Sequence, residues 1–295
     1  IFSLLLPILF YYCLENRFPE IEKKKKIFLS LIIYFLPNYQ SSAIWGNSHI
    51  SSLFFFLGSI YFLNKLEKIG KKINLNIFFI VLFMACAAYI RQYYIIFFPY
   101  LFLIILIKTK LKNIIFFSLL SIVLSIPGFF FFINNPILLG GLLGDYTNFK
   151  SSILIILSIV FVYLFPFFIS DLRYNIFKSL ELLRNKKFSI FFILSTAFFI
   201  YVLINFNYNG YLGGGFFYKI SQILTGNNLL FFTTAFSGMF LCFYFFRKKI
   251  DDIFLITIIS TSFSSGYAIF QKYFEPMILI IIFLLINKDL IKKVF

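Results

Sequence analysis

Two long apolar runs meet at an arginine in residues 77 to 107, which read IFFIVLFMACAAYIRQYYIIFFPYLFLIILI. A helix of such residues can cross a hydrocarbon layer, because it satisfies its own backbone hydrogen bonds where water is absent. Arg91 and Gln92 stand at the joint between the two runs. The pattern predicts that Arg91 lies at or just inside a membrane surface, where a charged side chain is costly and therefore suggests a function.

The composition of the whole chain agrees with this first stretch. Of 295 residues, 61% are hydrophobic, 23% are aromatic and only 13% are charged, and the mean hydropathy is +0.94. These values are typical of membrane proteins rather than soluble domains. We attribute the abundance of Phe, Ile, Lys, Asn and Tyr to an AT-rich genome rather than to an aromatic binding surface. The predicted fold class is therefore an all-α integral membrane protein.

Apolar segments recur along the rest of the chain. We predict eleven transmembrane helices, at roughly residues 1 to 14, 27 to 45, 50 to 63, 74 to 90, 93 to 107, 113 to 133, 152 to 170, 188 to 206, 229 to 246, 253 to 270 and 275 to 287. Residues 172 to 187 place Ile176, Leu180 and Leu183 on one face with cations opposite, which predicts an amphipathic helix on the cytoplasmic surface. Glycines 213 to 215 before the amphiphilic run 216 to 224 predict a turn and a second interfacial helix.

The charges alternate between successive connections. Cations stay on the cytoplasmic side during insertion, so the lysine-rich and arginine-rich connections are predicted to be cytoplasmic. The alternate, outward connections hold only four of the 27 cations, Arg91, Lys150, Lys219 and Lys272. All acidic residues except Asp145 and Glu275 fall in the cytoplasmic connections. The net charge of +16 therefore marks orientation and not a nucleic-acid partner.

Familiar catalytic motifs are absent from the sequence. It has no Walker A sequence, no GxGxxG turn after a strand, no HExxH and no GxSxG, so nucleotide, dinucleotide, zinc-protease and serine-hydrolase chemistry have no support. Cys13, Cys86 and Cys242 show no metal-ligand spacing. No cofactor or metal site is predicted, and a requirement for a divalent metal is left open.

The candidate site residues are the polar groups of the outward connections. Arg91 can bind a phosphate through its guanidinium fork and Lys272 as a point charge, while the alternative is that both reach toward lipid headgroups. Asp145 follows a glycine-rich loop and can accept a proton or bind a sugar hydroxyl, or it is simply a solvated loop residue. Glu275 can pair with Lys272 at helical spacing. The remaining candidates for substrate binding are Gln92, Tyr93, Tyr273 and His49.

The order of several short motifs resembles a known class of membrane enzymes. Arg91-Gln92-Tyr93-Tyr94 lies between two spans, Gly140-Gly141 and Gly144-Asp145 precede Phe165-Pro166, and Lys272-Tyr273-Phe274 is followed by Pro276. This order is similar to that of the polytopic GT-C glycosyltransferases, and most of all to the dolichyl-phosphate-glucose α-1,2-glucosyltransferase family, whose motif is Arg-Gln-Thr-Asn. The Thr-Asn pair of that motif is replaced here by Tyr93-Tyr94, which puts the identity of donor and acceptor in doubt.

The resemblance implies a function and a set of roles. It implies transfer of a hexose from a polyprenyl-phosphate sugar donor to a glycan or lipid-linked acceptor on the outward face, with inversion at the sugar. Arg91 and Lys272 would hold the phosphate, and Gln92, Tyr93 and Tyr273 would position the sugar. The main catalytic base of such enzymes lies after a first span, which here would precede Ile1, so Asp145 is the candidate base within the chain.

Several alternatives stay open from the sequence. A transporter or flippase of a lipid-linked glycan also needs a cationic outward cavity, and a noncatalytic membrane subunit would need no outward carboxylate. We expect one polytopic membrane domain over residues 1 to 295, lacking its natural N-terminal span and first outward loop. A bacterial inner membrane is the expected location, with the endoplasmic reticulum membrane as the alternative.

Overall fold

The computed structural model describes residues 1–44, 48–66, 73–134, 149–208, 215–246, 255 and 275–285. Every regular element in these ranges is helical, which confirms the all-α prediction for them. The helices are α1 (Phe2–Arg17), α2 (Lys23–Leu31), α3 (Pro37–Ile44), α4 (Ser48–Leu66), α5 (Ile73–Ile90), α6 (Phe97–Lys108), α7 (Leu111–Asn134), α8 (Phe149–Ile169), α9 (Leu172–Arg184), α10 (Lys186–Ile204), α11 (Gly215–Thr225), α12 (Leu229–Phe246) and α13 (Glu275–Leu284).

The apolar segments of the sequence correspond closely to these helices. Nine of the eleven predicted segments, from 1 to 14 through to 275 to 287, coincide with one described helix each to within a few residues. Segment 27 to 45 does not, and segment 253 to 270 lies almost wholly outside the described residues. The hydrophobic pattern therefore locates the helices well, because burial or lipid contact of apolar side chains drives helix formation here.

Segment 27 to 45 is a correction to the sequence prediction, since it is not one helix. It forms α2, a 3₁₀ segment (Ile32–Phe35) and α3. The break falls at Leu36, whose ψ of 116° is extended. Pro37 explains the break, because the proline ring disfavours the helical conformation of the residue before it.

Fewer helices than eleven have the length and composition to cross a membrane. Among the described residues, three pass, at Leu111–Phe131, Ser151–Ile169 and Leu229–Phe246, or four if α9 and α10 form one broken span. Two further apolar helical stretches are shorter than a span of 18 residues. They are Asn74–Ile90 in α5, and Gln92–Lys108, which joins the 3₁₀ segment after Arg91 to α6. These apolar helices are compatible with a membrane protein, and the eleven-span count stays a prediction.

The chain divides into two compact units, and the first comprises Ile1–Gly140 with Glu275–Lys288. Its centre is the antiparallel pair α4 and α5, against which α1 and α7 pack. The Ser59 hydroxyl donates to the Ile80 carbonyl at 3.0 Å, and Phe62 stacks on Phe79 with ring centroids 4.7 Å apart. Apolar packing and the hydrogen bond from Ser59 thus hold α4 against α5, the helix that leads to Arg91.

The second unit comprises Gly141–Phe274 and is built around α8 and α12. These helices approach so closely at Gly238 that a Cβ atom there would lie 2.0 Å from the Leu157 carbonyl oxygen. Small residues at such crossings let helix backbones come together in membrane proteins. The short helix α11 begins at Gly215, whose φ of 78° favours glycine, and confirms the helix predicted over residues 216 to 224.

Candidate functional site

The predicted joint at Arg91 is a real break between two helices. Helix α5 ends at Ile90, Arg91 is extended (φ −142°, ψ 109°), and a 3₁₀ segment (Gln92–Ile96) leads into α6. Pro99 lies in the first turn of α6, where its missing N–H is not needed by the helix. The chain therefore presents three consecutive polar residues, Arg91, Gln92 and Tyr93, outside regular α-helix.

Aromatic packing fixes the position of the 3₁₀ segment. Tyr94 is 1% exposed, and its ring lies 4.6 Å from that of Tyr93 and 5.0 Å from that of Phe56. Tyr94 thus anchors this polar turn to α4, a role that the sequence did not reveal.

His49 and Tyr93 come together from distant parts of the chain. The His49 Nδ1 atom lies 3.2 Å from the Tyr93 hydroxyl, and the two rings stack with centroids 6.4 Å apart. His49 is the second residue of α4 and is buried, and Tyr93 is half-buried. Two of the predicted substrate-binding residues therefore form one contact, beside the half-buried Arg91.

An apolar cavity of about 660 Å³ opens beside the break between α5 and α6. Its walls come from α5, the 3₁₀ segment, α6 and α7, and its lining includes Ala88, Tyr89, Gln92, Phe98, Ser121 and Gly128. Arg91 itself stands in the chain between the lining residues Tyr89 and Gln92. Arg91 is not among the lining residues, and Gln92 is the residue by which this polar turn reaches the wall of the cavity.

A few polar groups interrupt the apolar wall. Gln92 is exposed, and the Oγ atom of Ser121 is buried with no hydrogen-bond partner among the described residues. Ser125 bonds the Ile122 carbonyl in its own helix. A buried hydroxyl without a partner costs free energy, so Ser121 is suited to a polar group of a bound molecule. Ser121 and Ser125 were missed from the sequence, although their spacing of four residues places both on one face of α7.

Tyr89 joins the cavity wall to the middle of α7. Its hydroxyl donates to the Leu124 carbonyl at 2.5 Å and accepts from the Gly128 backbone N–H at 3.1 Å. These are the two groups that would bond each other in an unbroken helix. Pro127, the residue before Gly128, has no backbone N–H to donate within α7. Tyr89 therefore bonds the backbone of α7 next to a position where one helical hydrogen bond is missing.

The other predicted site residues lie outside the described residues. They are Asp145, Lys272 and Tyr273. Of the predicted set, the structure therefore places Arg91, Gln92, Tyr93 and His49 together at one end of α4 and α5. Across the part of the chain that the structure describes, no group of three His, Cys, Asp or Glu side chains could hold a metal ion.

Comparisons with protein-family models, with curated proteins and with solved structures find no match to this chain. The resemblance to the GT-C glycosyltransferases therefore stands on the sequence motifs alone, and the function is argued from the site.

Proposed function

We propose that the protein is a GT-C-type glycosyltransferase that takes a hexose from a polyprenyl-phosphate donor. The acceptor is a lipid-linked or cell-surface glycan on the extracytoplasmic face of the membrane. The protein is a multi-pass chain in a bacterial inner membrane, with the endoplasmic reticulum membrane as the alternative location. The observation that carries the proposal is the polar turn at Arg91 and Gln92, of which Gln92 lines an apolar cavity of about 660 Å³.

The two parts of this site match the two parts of such a donor. A polyprenyl phosphate is a long hydrocarbon chain that ends in an anion, and the cavity lining is apolar apart from a few groups such as Gln92 and Ser121. Arginine binds phosphate oxygens through two parallel N–H groups, and the low dielectric constant beside an apolar cavity strengthens that contact. The hydroxyl of Tyr93 and the side chain of Gln92 then orient the sugar.

The reaction is a single displacement at the anomeric carbon. The acceptor hydroxyl oxygen forms a bond to that carbon as the bond to the phosphate oxygen breaks, and the phosphate leaves with the electron pair. Arg91 stabilises the charge that develops on the leaving phosphate, with Lys272 as its predicted second cation. The acceptor proton passes to a carboxylate, for which Asp145 is the candidate within this chain.

A transfer assay on membranes of expressing cells tests the proposal. Radiolabelled polyprenyl-phosphate hexose is supplied, and label in the glycan fraction is measured for wild type and for Arg91→Ala and Arg91→Lys. Loss of one charge-assisted contact is expected to cost about 2–3 kcal/mol, or roughly 30- to 150-fold in rate at low donor concentration. Arg91→Lys keeps the charge and loses the two parallel N–H groups of the guanidinium, so its activity should fall between that of wild type and that of Arg91→Ala.

Lys219→Ala is the matched control, because Lys219 is another of the four cations of the outward connections and is exposed on α11. It should transfer hexose like wild type. An Arg91→Ala protein that is present in the membrane at wild-type amounts and transfers at the wild-type rate would exclude the phosphate-binding role.

A transporter of a lipid-linked glycan is the second candidate, and the interrupted helix α7 favours it. Transporters commonly use broken helices to line their substrate cavity, and Pro127 removes one backbone N–H from α7 where that helix lines the cavity. Proteoliposomes separate the two candidates. Movement of a labelled lipid-linked glycan across the bilayer without hexose transfer would favour the transporter.

A further inference from the structure

Helix α9 (Leu172–Arg184) turns its polar face, and not its apolar face, toward the protein. Its buried residues are the polar Asn175 and Ser179, whereas Leu172, Ile176, Leu180 and Leu183 are each 41–54% exposed. This is the reverse of the usual surface helix, which buries its apolar stripe in the protein. The apolar face of α9 must therefore meet something other than the described part of the second unit.

Hydrogen bonds fix α9 in this orientation. The Asn175 side-chain amide donates to the Phe168 carbonyl at 2.8 Å, and the Tyr244 hydroxyl donates to Asn175 Oδ1 at 2.7 Å. The Ser179 hydroxyl donates to the Asn175 carbonyl at 2.7 Å. The Ser179 bond lies within α9, but the two bonds of the Asn175 side chain link α9 to α8 and α12. Rotation of α9 about its axis would leave the buried Asn175 amide unpaired.

The exposed face combines an apolar stripe with positive charge. At 100° per residue, Leu172, Ile176, Leu180 and Leu183 fall within an arc of about 80°, and Arg173 and Arg184 border that arc. Residues 171 to 187 carry five cations, Arg173, Lys178, Arg184, Lys186 and Lys187, against the carboxylates of Asp171 and Glu181. Long cationic side chains beside an apolar stripe can reach headgroups while their stems stay in the apolar layer.

The direction of α9 suits a membrane surface. Helices α9 and α10 meet at an angle of 94°, so α9 runs in the plane of a bilayer if α10 crosses it. The apolar stripe would then enter the boundary between headgroups and acyl chains, and the arginines would lie among the headgroups.

We infer that α9 is a docking surface for the anionic phospholipid headgroups of the leaflet on its side of the membrane. Charge complementarity selects the anionic headgroup, and the exposed leucines and isoleucine select a lipid surface over a soluble anion or an acidic protein. This inference concerns the second unit and does not depend on the proposed glycosyltransferase activity.

The test measures which lipids lie next to α9 in the full chain. A fluorophore is attached through Leu180→Cys in protein whose Cys13, Cys86 and Cys242 are replaced by alanine, and the protein is placed in nanodiscs of phosphatidylcholine with 30% phosphatidylglycerol. Quenching by doxyl-labelled phosphatidylglycerol is compared with quenching by doxyl-labelled phosphatidylcholine. The expected result is stronger quenching by the anionic lipid, with a preference that falls about fivefold for each arginine removed in R173Q and R184Q.

The variant K110Q/K112Q is the matched control, because it removes two exposed cations at the start of α7, one just before the helix and one in its first turn. It should keep the preference at position 180. Ile176→Cys provides a second attachment point if labelling at position 180 disturbs the fold. Equal quenching by both lipids, or a preference that survives in R173Q/R184Q, would overturn the inference. Absence of quenching by either lipid would show a face that meets water or protein, and would overturn it as well.

Discussion

The Tyr89 hydroxyl lies 2.5 Å from the Leu124 carbonyl oxygen, at the point where α7 cannot complete its own backbone ladder. The same hydroxyl accepts a hydrogen bond from the Gly128 backbone N–H, so one side chain of α5 bonds two backbone groups of α7. Both helices line the cavity beside Arg91. The Tyr89 hydroxyl therefore helps to hold α7 against α5 at the wall of that cavity.

Replacing Tyr89 by Phe should loosen α7 at this point. The ring stays, but the Leu124 carbonyl and the Gly128 N–H lose their partner away from water, which costs about 1–3 kcal/mol. We expect a lower thermal midpoint and faster amide exchange in α7 around residue 128. Tyr12→Phe is the control, since Tyr12 is exposed to a similar extent on α1. Unchanged exchange at Gly128 would show that the bridge does not stabilise α7.

Replacing Tyr93 by Phe isolates the contact between His49 and Tyr93. The variant keeps the aromatic packing against Tyr94 and loses the 3.2 Å hydrogen bond to His49 Nδ1, so stability should change by only about 1 kcal/mol. We expect donor binding to weaken severalfold, because the removed hydroxyl also orients the sugar in the proposed site. Photolabelling with a polyprenyl-phosphate analogue measures this donor binding. Equal labelling of Tyr93→Phe and wild type would remove Tyr93 from the binding site.

Replacing Gly238 by Ala should destabilise the second unit strongly. The new Cβ would lie 2.0 Å from the Leu157 carbonyl oxygen, and a backbone atom of a packed helix cannot move aside easily. Overpacking of this kind costs about 3 kcal/mol. Gly128→Ala is the comparison, because its Cβ would approach only the Tyr89 ring, at 3.4 Å. Thermal unfolding in detergent should rank Gly238→Ala well below Gly128→Ala, and the opposite ranking would contradict the close helix contact.

Acid should weaken the contact between Glu15 and Lys26. Glu15 Oε2 lies 2.5 Å from Lys26 Nζ, beyond the apolar segment 1 to 14, and the hydrogen bond from Lys26 holds the pKa of the Glu15 carboxyl below its usual value. A lowered pKa in the folded state stabilises the fold above the unfolded value of about 4.3, and this stability is lost as the pH falls through the folded pKa.

The variant Glu15→Gln checks this sign. Its thermal midpoint should lie below that of wild type at neutral pH, and the difference should shrink as the pH falls below about 4.3. Glu22→Gln is the control, because Glu22 is exposed and makes no side-chain cap at the start of α2. A difference that stays constant down to low pH would show that Glu15 acts through packing and not through its charge.

The sequence predicted most of the helices and the break at Arg91, because apolar runs and polar joints are local features of the chain. It also predicted the amphipathic character of α9, from the spacing of Ile176, Leu180 and Leu183. It missed the break at Leu36, although Pro37 is a local signal for it. A pairing such as His49 with Tyr93, or Tyr89 with Leu124, joins residues 44 and 35 positions apart. Such pairings follow from how helices pack and not from the pattern of any one helix.

Helix α7 turns most of its length away from the rest of the protein, with only 6% of Leu111–Phe131 buried. Few of the described side chains pack against that outer face, so we expect that one apolar residue there can replace another at little cost. Substitutions are expected to matter on the inner face instead, where Ser121 and Gly128 line the cavity and the Gly128 backbone bonds Tyr89.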